Sequence, residues 1–403
     1  MQKEIERKRK LVLFTSNLSG GAGGAEKLVL EEEKYFKKLN FDTTLITFAV
    51  DEIAVYDYKP NILEIKIKSP KLFSQLIGIL KLRKELKKIN PNYIIAQSNY
   101  CSFYIYFATL FTHFKYITHI HGSLFWFDED QKKYAIIHKK VFSEIRNSII
   151  GHKEFIPKNY PLGLPSRVSA EILAIIDYLV VRKAEQIIVI TEQLKWEVEK
   201  LYNKKAIVSR GCLPNNFEEF KPKRNIKNEL NLHNKEIIFS LGRLDHRKRI
   251  DILIKAFHRI TNKNDDVVLL IGGIGKEEKN LKMLVSKLKI DEKVKFLGFV
   301  DDDSLFEYYS ACDVFAFPSW TSSGISPYEA LSVGKKVVIT SEAEEPFLNH
   351  ESVFIAEPNV DSFSKYLKKA LECEVKEKID LSEYTWDNYF QKVYDALLLD
   401  PKD

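Results

Sequence analysis

Residues 240–257 read SLGRLDHRKRIDILIKAF. The apolar run at 237–241 predicts a buried strand, and Gly242 predicts a sharp turn at its end. Arg243 leaves that turn, and Lys248 stands five residues later at the mouth of an amphipathic helix. Strand, tight turn and helix in this order build a parallel α/β layer. Two fixed cations at the carboxyl edge of such a sheet suit a doubly negative leaving group, such as a nucleoside diphosphate.

Outward from this segment the chain alternates strand and helix. Strands are predicted at 11–14, 43–48, 93–96, 116–119 and 186–190, with helices at 26–39, 71–89 and 192–201. A polar break runs from about 213 to 234. A second series then places strands at 237–241, 267–271, 294–297, 314–317 and 336–339. Two similar α/β lobes facing a cleft is the economical reading. Residues 125–180 mix aromatic, basic and proline residues, and the sequence leaves an acceptor-side excursion and a packed helical insertion equally open.

The 403 residues are 45% hydrophobic and 29% charged, which describes a globular chain with room for large cores. Cys101, Cys212, Cys312 and Cys373 lie far apart and read as reduced thiols rather than as disulfides or a zinc site. His119 and His121 do not have the i, i+4 spacing of a helical metal pair. Leu11–Phe14 is too short for a signal-peptide core, so a cytoplasmic protein is expected. The apolar run 100–116 falls short of a membrane span and predicts a core helix. The net charge of +6 concentrates at 1–10 and 81–88. The second patch lies beside a helical stripe of Leu72, Leu76, Ile79, Leu82, Leu86 and Ile89, so it is either a solvated face or a contact for anionic lipid at the inner membrane face. No motif accompanies the charge to suggest nucleic acid.

Residues 322–334 read SSGISPYEALSVG. Ser326 is expected as N-cap and Pro327 as first helical residue, with the amides of Gly324, Ile325 and Ser326 aimed at an anion. Glu329 in the first turn suits a ribose diol. The Ser326–Glu329 spacing is also that of a capping box; the presence of Arg243 and Lys248 favours the ribose. Arg247, Lys248 and Arg249 crowd a helix amino terminus, which makes electrostatic sense if an anion arrives. The loop SGGAGGAEK at 19–27 fits neither a dinucleotide fingerprint nor a phosphate loop, and reads as a turn that lets backbone approach a ligand. Asp301–Asp303 reads as a helix start rather than a metal motif.

These elements together resemble family 4 (group 1) of the retaining glycosyltransferases, with the GT-B fold. The matching residues are Gly23-Gly24-Ala25-Glu26, His121-Gly122, Gly242-Arg243-Leu244 with Lys248, 296–299, Pro318-Ser319, Gly324 through Glu329 to Gly334, and Tyr384–Asp387. The resemblance implies two Rossmann-like, doubly wound domains: 1–215 on the acceptor side, and 216–381 for the nucleotide-sugar, with a terminal helix at 382–403 packing back on the first. It implies that the donor diphosphate lies on Arg243, Lys248 and the amides of Gly324, Ile325 and Ser326. Glu329 would hold the ribose, and the backbone at Gly298 would border the base. His121 would meet the donor sugar, and Gly23 and Gly24 would line the reaction centre. The implied reaction moves a hexose from a UDP- or GDP-sugar to a glycan or lipid-linked acceptor by front-face attack, with no metal, cofactor or covalent nucleophile. One position departs from the family: Thr321 stands where an acidic residue usually contacts the sugar. That departure keeps two alternatives open, a non-catalytic sugar-nucleotide-binding or scaffold protein and a sugar-nucleotide epimerase.

Overall fold

The computed structural model describes residues 8–18, 24–50, 59–67, 71–122, 176–261, 266–319, 324–343 and 345–399. The chain divides into two units, Met1–Arg210 with Asp387–Asp403, and Gly211–Trp386.

The first unit is built on a parallel sheet of β1 (Lys10–Phe14), β2 (Asp42–Thr47), β3 (Ile62–Glu64), β4 (Tyr93–Ala96), β5 (Ile117–Ile120), β6 (Ile187–Val189) and β7 (Ile207–Val208), ordered β3-β2-β1-β4-β5-β6-β7. Helices cover both faces of such a sheet, which is why Leu11, Val12, Leu13 and Phe14 are all fully buried instead of alternating. Val12, Phe14, Ile46 and Ile94 form one core with Leu82 and Leu86 of the helix Lys71–Ile89 and Ile105 of the helix Asn99–Thr109. That second helix is capped by the Ser98 hydroxyl on the Cys101 amide. It ends well before the expected 116, because the chain turns at Phe111, whose φ is 60° and whose ring is 92% exposed.

The helix Trp386–Leu398 belongs, from Asp387 onward, to this first unit. Aromatic contacts seat it: Phe390 lies 5.5 Å from Tyr35, and Tyr394 lies 6.1 Å from Phe41. Each such pair contributes about 0.5–1.5 kcal/mol beyond its buried area.

The second unit repeats the plan with β8 (Glu236–Leu241), β9 (Val267–Gly272), β10 (Val294–Gly298), β11 (Val314–Phe317), β12 (Lys336–Thr340) and β13 (Val353–Ala356), ordered β10-β9-β8-β11-β12-β13 and parallel throughout. Ile238, Leu269 and Val314 pack against Leu253 and Phe257 of the helix Ile250–Thr261 and Phe363 and Leu367 of the helix Val360–Glu372. The loops leaving β8, β9 and β10 are laced backbone to backbone: Gly242 N–H donates to Gly272 O at 3.1 Å, and Gly273 N–H to Gly298 O at 2.6 Å. Gly273 is required there. Its φ is +117°, and a Cβ would meet Gly242 O at 2.0 Å.

The amphipathic helix differs from its expected stripe. Leu82 and Leu86 are buried, but Leu76 is 56% exposed and Leu80 57% exposed. The side of the helix that carries Gly78 faces Ile67, Phe48 and Tyr104 instead, and the close fit there turns Leu76 outward.

Candidate active site

In the second unit the strand order reverses between β8 and β11. Loops leaving adjacent strands at such a point diverge and open a crevice at the carboxyl ends. Arg243 and Lys248 follow β8, and Gly324 follows β11. A single ring brings Lys248 and Gly324 together, while Arg243 is exposed. Phe317, the last residue of β11, is 3% exposed. Lys248 Nζ stands 5.1 Å from the centroid of its ring. The Gly324 backbone lies against the same ring so closely that a Cβ would sit 2.5 Å from Phe317 Cζ.

Burial holds the Lys248 ammonium well below the usual lysine range, at about 8; Asp245 opposes the shift, and Arg247 and Arg243 add to it. Among the described residues no carboxylate pairs with Lys248 or Arg243. The expected cationic cluster is therefore smaller than the sequence suggests. Arg247 pairs with Asp245 at 3.1 Å, and Arg249 makes a buried two-pronged pair with Glu342 at 2.5 and 3.2 Å. Those two guanidiniums are committed to the fold.

The helix after β11 is Ile325–Ser332, and its N-cap is Gly324 in extended backbone. Ser326 is thus not the N-cap, nor Pro327 the first helical residue, and no capping box forms. Instead the Ser326 hydroxyl turns toward Tyr309, whose OH donates to Glu329 Oε2 at 2.9 Å. Glu329 is buried. The Gly324 amide, expected to face an anion, donates to Glu345 Oε1 at 3.1 Å, while Glu345 Oε2 accepts from Tyr328 OH at 2.7 Å. The next amides, of Ile325 and Ser326, open the helix and have no intrahelical acceptor. Gly298 closes the same sheet edge at the end of β10, with φ +71° and open space where a side chain would stand. Asp301 caps the helix Asp302–Ala311 by accepting from the Ser304 amide, as its sequence context predicts.

In the first unit His121 follows β5 directly, and it ends a buried polar chain. His121 Nε2 meets Gln97 Oε1 at 2.7 Å, and Gln97 Nε2 donates to Glu32 Oε2 at 2.5 Å. The other Glu32 oxygen lies 3.3 Å from His119 Nδ1, and His119 Nε2 meets Tyr389 OH at 2.6 Å. Burial raises the Glu32 carboxyl to about 7, against the pull of His121 and the Gln97 bond. Burial lowers His119 to about 3 and His121 well below the ordinary histidine value. Gly24 opens the helix Gly24–Lys38. Gly23, Thr321 and most of 125–180 lie outside the described residues.

Phe317, Glu345, Tyr309, Gln97, Glu32 and Tyr389 were not singled out from the sequence. Phe317 reads there as strand core. The signal for Glu32 is the run Glu31-Glu32-Glu33, whose last two members are both fully buried, an unusual setting for adjacent carboxylates.

The chain matches the model described as "Glycosyl transferases group 1" over residues 222–386, and that of "Glycosyltransferase Family 4" over residues 22–212. It is 30% identical over 251 residues to an uncharacterized glycosyltransferase of Methanocaldococcus jannaschii, covering 56% of this chain and 63% of that one. It is 36% identical over 143 residues to the Campylobacter jejuni N-acetylgalactosamine-N,N'-diacetylbacillosaminyl-diphospho-undecaprenol 4-alpha-N-acetylgalactosaminyltransferase, covering 34% of this chain. The matched stretch spans only 38% of that relative's length. Among solved structures, Anabaena HepE in complex with UDP and glucose superposes with a TM-score of 0.67 at 17% identity, over 96% of this chain and 95% of that one. The lipopolysaccharide glycosyltransferase WaaG superposes with a TM-score of 0.65 at 13% identity, over 97% of both chains. At these identities the likeness is one of fold.

The buried network predicts how the chain responds to acid. On unfolding between pH 4.5 and 6.5, His119 and His121 take up protons that their folded forms exclude, while Glu32 gives up the proton its folded form keeps. Two uptakes against one release leave a net uptake of about one proton, so stability falls as pH drops through this window. Melting curves at pH 6.5 and 4.5 are expected to show a lower midpoint at pH 4.5, with a smaller drop in His119→Asn. An equal drop in wild type and variant contradicts the assignment.

Proposed function

The chain belongs to the group 1 glycosyltransferases of GT-B fold, and from that premise we propose that it transfers a hexose from a nucleoside-diphosphate sugar to a glycan or lipid-linked glycan, with retention of anomeric configuration. One observation carries the reading. A desolvated ammonium, Lys248, rests on Phe317 with no carboxylate partner among the described residues, beside a helix amino terminus seated on the same ring.

In this reading the diphosphate supplies the charge that Lys248 lacks. Lys248 acts as a point charge on the leaving group, and Arg243 clamps a phosphate through two parallel N–H donors. The Ile325 and Ser326 amides take the share first assigned to Gly324, since Glu345 holds that one. Glu329, fixed by Tyr309, takes the ribose hydroxyls, and the open backbone at Gly298 borders the base. His121 is proposed to meet a substrate hydroxyl. Departure of the diphosphate on one face of the sugar frees a phosphate oxygen to deprotonate the acceptor attacking from that same face. The anomeric C–O bond to phosphate breaks, a C–O bond to the acceptor forms, and the acceptor proton leaves on the phosphate. Cations and amides neutralise the leaving charge, so the proposed reaction needs no metal. UDP, held in the Anabaena HepE structures, is the base to test first, with GDP second.

The acceptor half of the proposal is a lipid-linked glycan at an anionic membrane surface. No described helix is long and apolar enough to cross a membrane. The helix Lys71–Ile89 instead exposes Leu76 and Leu80 beside exposed Lys84, Lys87 and Lys88. Apolar contact plus about 1 kcal/mol per surface-held lysine suits peripheral binding.

Two measurements test these readings. Lys248→Ala is expected to lower turnover by ~10²–10³, about 2.7–4 kcal/mol of leaving-group stabilisation, with wild-type activity unaffected by EDTA; a variant as active as wild type rules the mechanism out. Sedimentation with phosphatidylglycerol vesicles is expected to exceed that with phosphatidylcholine, to weaken in high salt and to fail in Leu76→Asp/Leu80→Asp. Equal pelleting with both lipids removes the membrane half.

A further inference from the structure

The proton on His121 is placed by a side chain that does not touch substrate. We propose that Gln97, oriented by Glu32, is a positioning residue that fixes His121 as its Nε2–H tautomer, so that the Nδ1 lone pair accepts a hydrogen bond from a substrate hydroxyl. The substrate half of this statement rests on the proposed transferase reading; the tautomer half does not.

The assignment follows from donors and acceptors once Glu32 is ionised. At pH 8, above its raised value of about 7, Glu32 is a carboxylate and only accepts, so the Gln97 side-chain nitrogen faces it at 2.5 Å. The Gln97 carbonyl oxygen is then left for His121, at 2.7 Å, and an oxygen acceptor requires a hydrogen on Nε2. The imidazole is neutral in its buried setting, so Nδ1 carries the lone pair. Every other atom of this chain of bonds is occupied, but His121 Nδ1 is buried and has no hydrogen-bond partner. A buried acceptor without a donor costs about 1–3 kcal/mol.

Position supports a ligand as the missing donor. Gln97 directly follows β4 and His121 directly follows β5, at the carboxyl ends of adjacent parallel strands. β4 pairs with β1 where the first unit's strand order reverses, which is where open α/β sheets bind ligands. The groups facing Glu32 are Gln97, His119 and, through charge, His121; Tyr389 holds the far nitrogen of His119 from the last helix. The carboxylate is thus gripped on both oxygens and cannot swing away from Gln97.

The test reads the tautomer directly. The full chain is labelled with ¹⁵N-histidine, and the His121 signals are assigned by their loss in His121→Asn. Wild type at pH 8 is expected to show a protonated Nε2 and an unprotonated Nδ1. Gln97→Met, which keeps the volume and removes the acceptor, is expected to give a mixture of tautomers. Addition of UDP-glucose is expected to shift the wild-type Nδ1 resonance, and kcat/KM for its turnover is expected to fall about five- to tenfold in Gln97→Met, the worth of one hydrogen bond. A proton on Nδ1 in wild type, or an unchanged tautomer in Gln97→Met, overturns the proposal; the wild-type spectrum decides the first point even if the variant fails to fold. Absence of any turnover in wild type counts against the transferase reading and leaves the tautomer result to stand or fall on the spectrum.

Discussion

One aromatic ring sets the geometry on which the second unit's chemistry depends. Phe317 ends β11 with its edge fixed by burial, and two polar features are built on it from different loops. Lys248 lies over the ring, and the Gly324 backbone presses against it. The consequence is electrostatic. A cation held on an aromatic surface is desolvated, and the beginning of a helix beside it adds oriented N–H groups, so positive potential concentrates at one point of the sheet edge. Gly324 has no side chain because the ring occupies that space, and so the helix can start this close to the lysine.

The polar groups around this point divide cleanly between structure and chemistry. Arg249 with Glu342 and Arg247 with Asp245 neutralise one another and hold the loop after β8 in place. Arg249 adopts φ 49°, and its buried pair with Glu342 stabilises that uncommon conformation. Glu345 satisfies the N-cap amide that would otherwise compete for a ligand. Among the described residues Lys248 and Arg243 remain without carboxylates. The first unit shows the same division around a buried carboxyl: Glu32, Gln97, His119 and Tyr389 satisfy each other, and within this network His121 Nδ1 is left open.

Most of the fold was legible because parallel strands buried on both faces appear as continuous apolar runs. The expected strands at 93–96 and 314–317 coincide with β4 and β11. The strands that escaped notice, β3, β7 and β13, are short or lie at a sheet edge; Ile355 of β13 is 36% exposed, so the run there lacks the buried signature. The site was legible as residue types but not as partnerships. Spacing makes Arg247, Lys248 and Arg249 look equivalent, and only the fold reveals that carboxylates nearly a hundred residues away, as Glu342 is from Arg249, claim one of them. Ser326-x-x-Glu329 has capping-box spacing, yet Tyr309, reached through tertiary packing, draws both side chains inward. The buried chain from Tyr389 to His121 spans four separate segments, and local pattern carries no trace of it.

The most direct test of the Phe317 platform is calorimetric titration of UDP and UMP into wild type and Phe317→Leu, with GDP and GMP as a second pair. A site built around the terminal phosphate predicts that wild type prefers the diphosphate by about tenfold or more, and that the preference collapses in Phe317→Leu while the monophosphate binds much as before. A preference for diphosphate that survives unchanged without the ring contradicts the account.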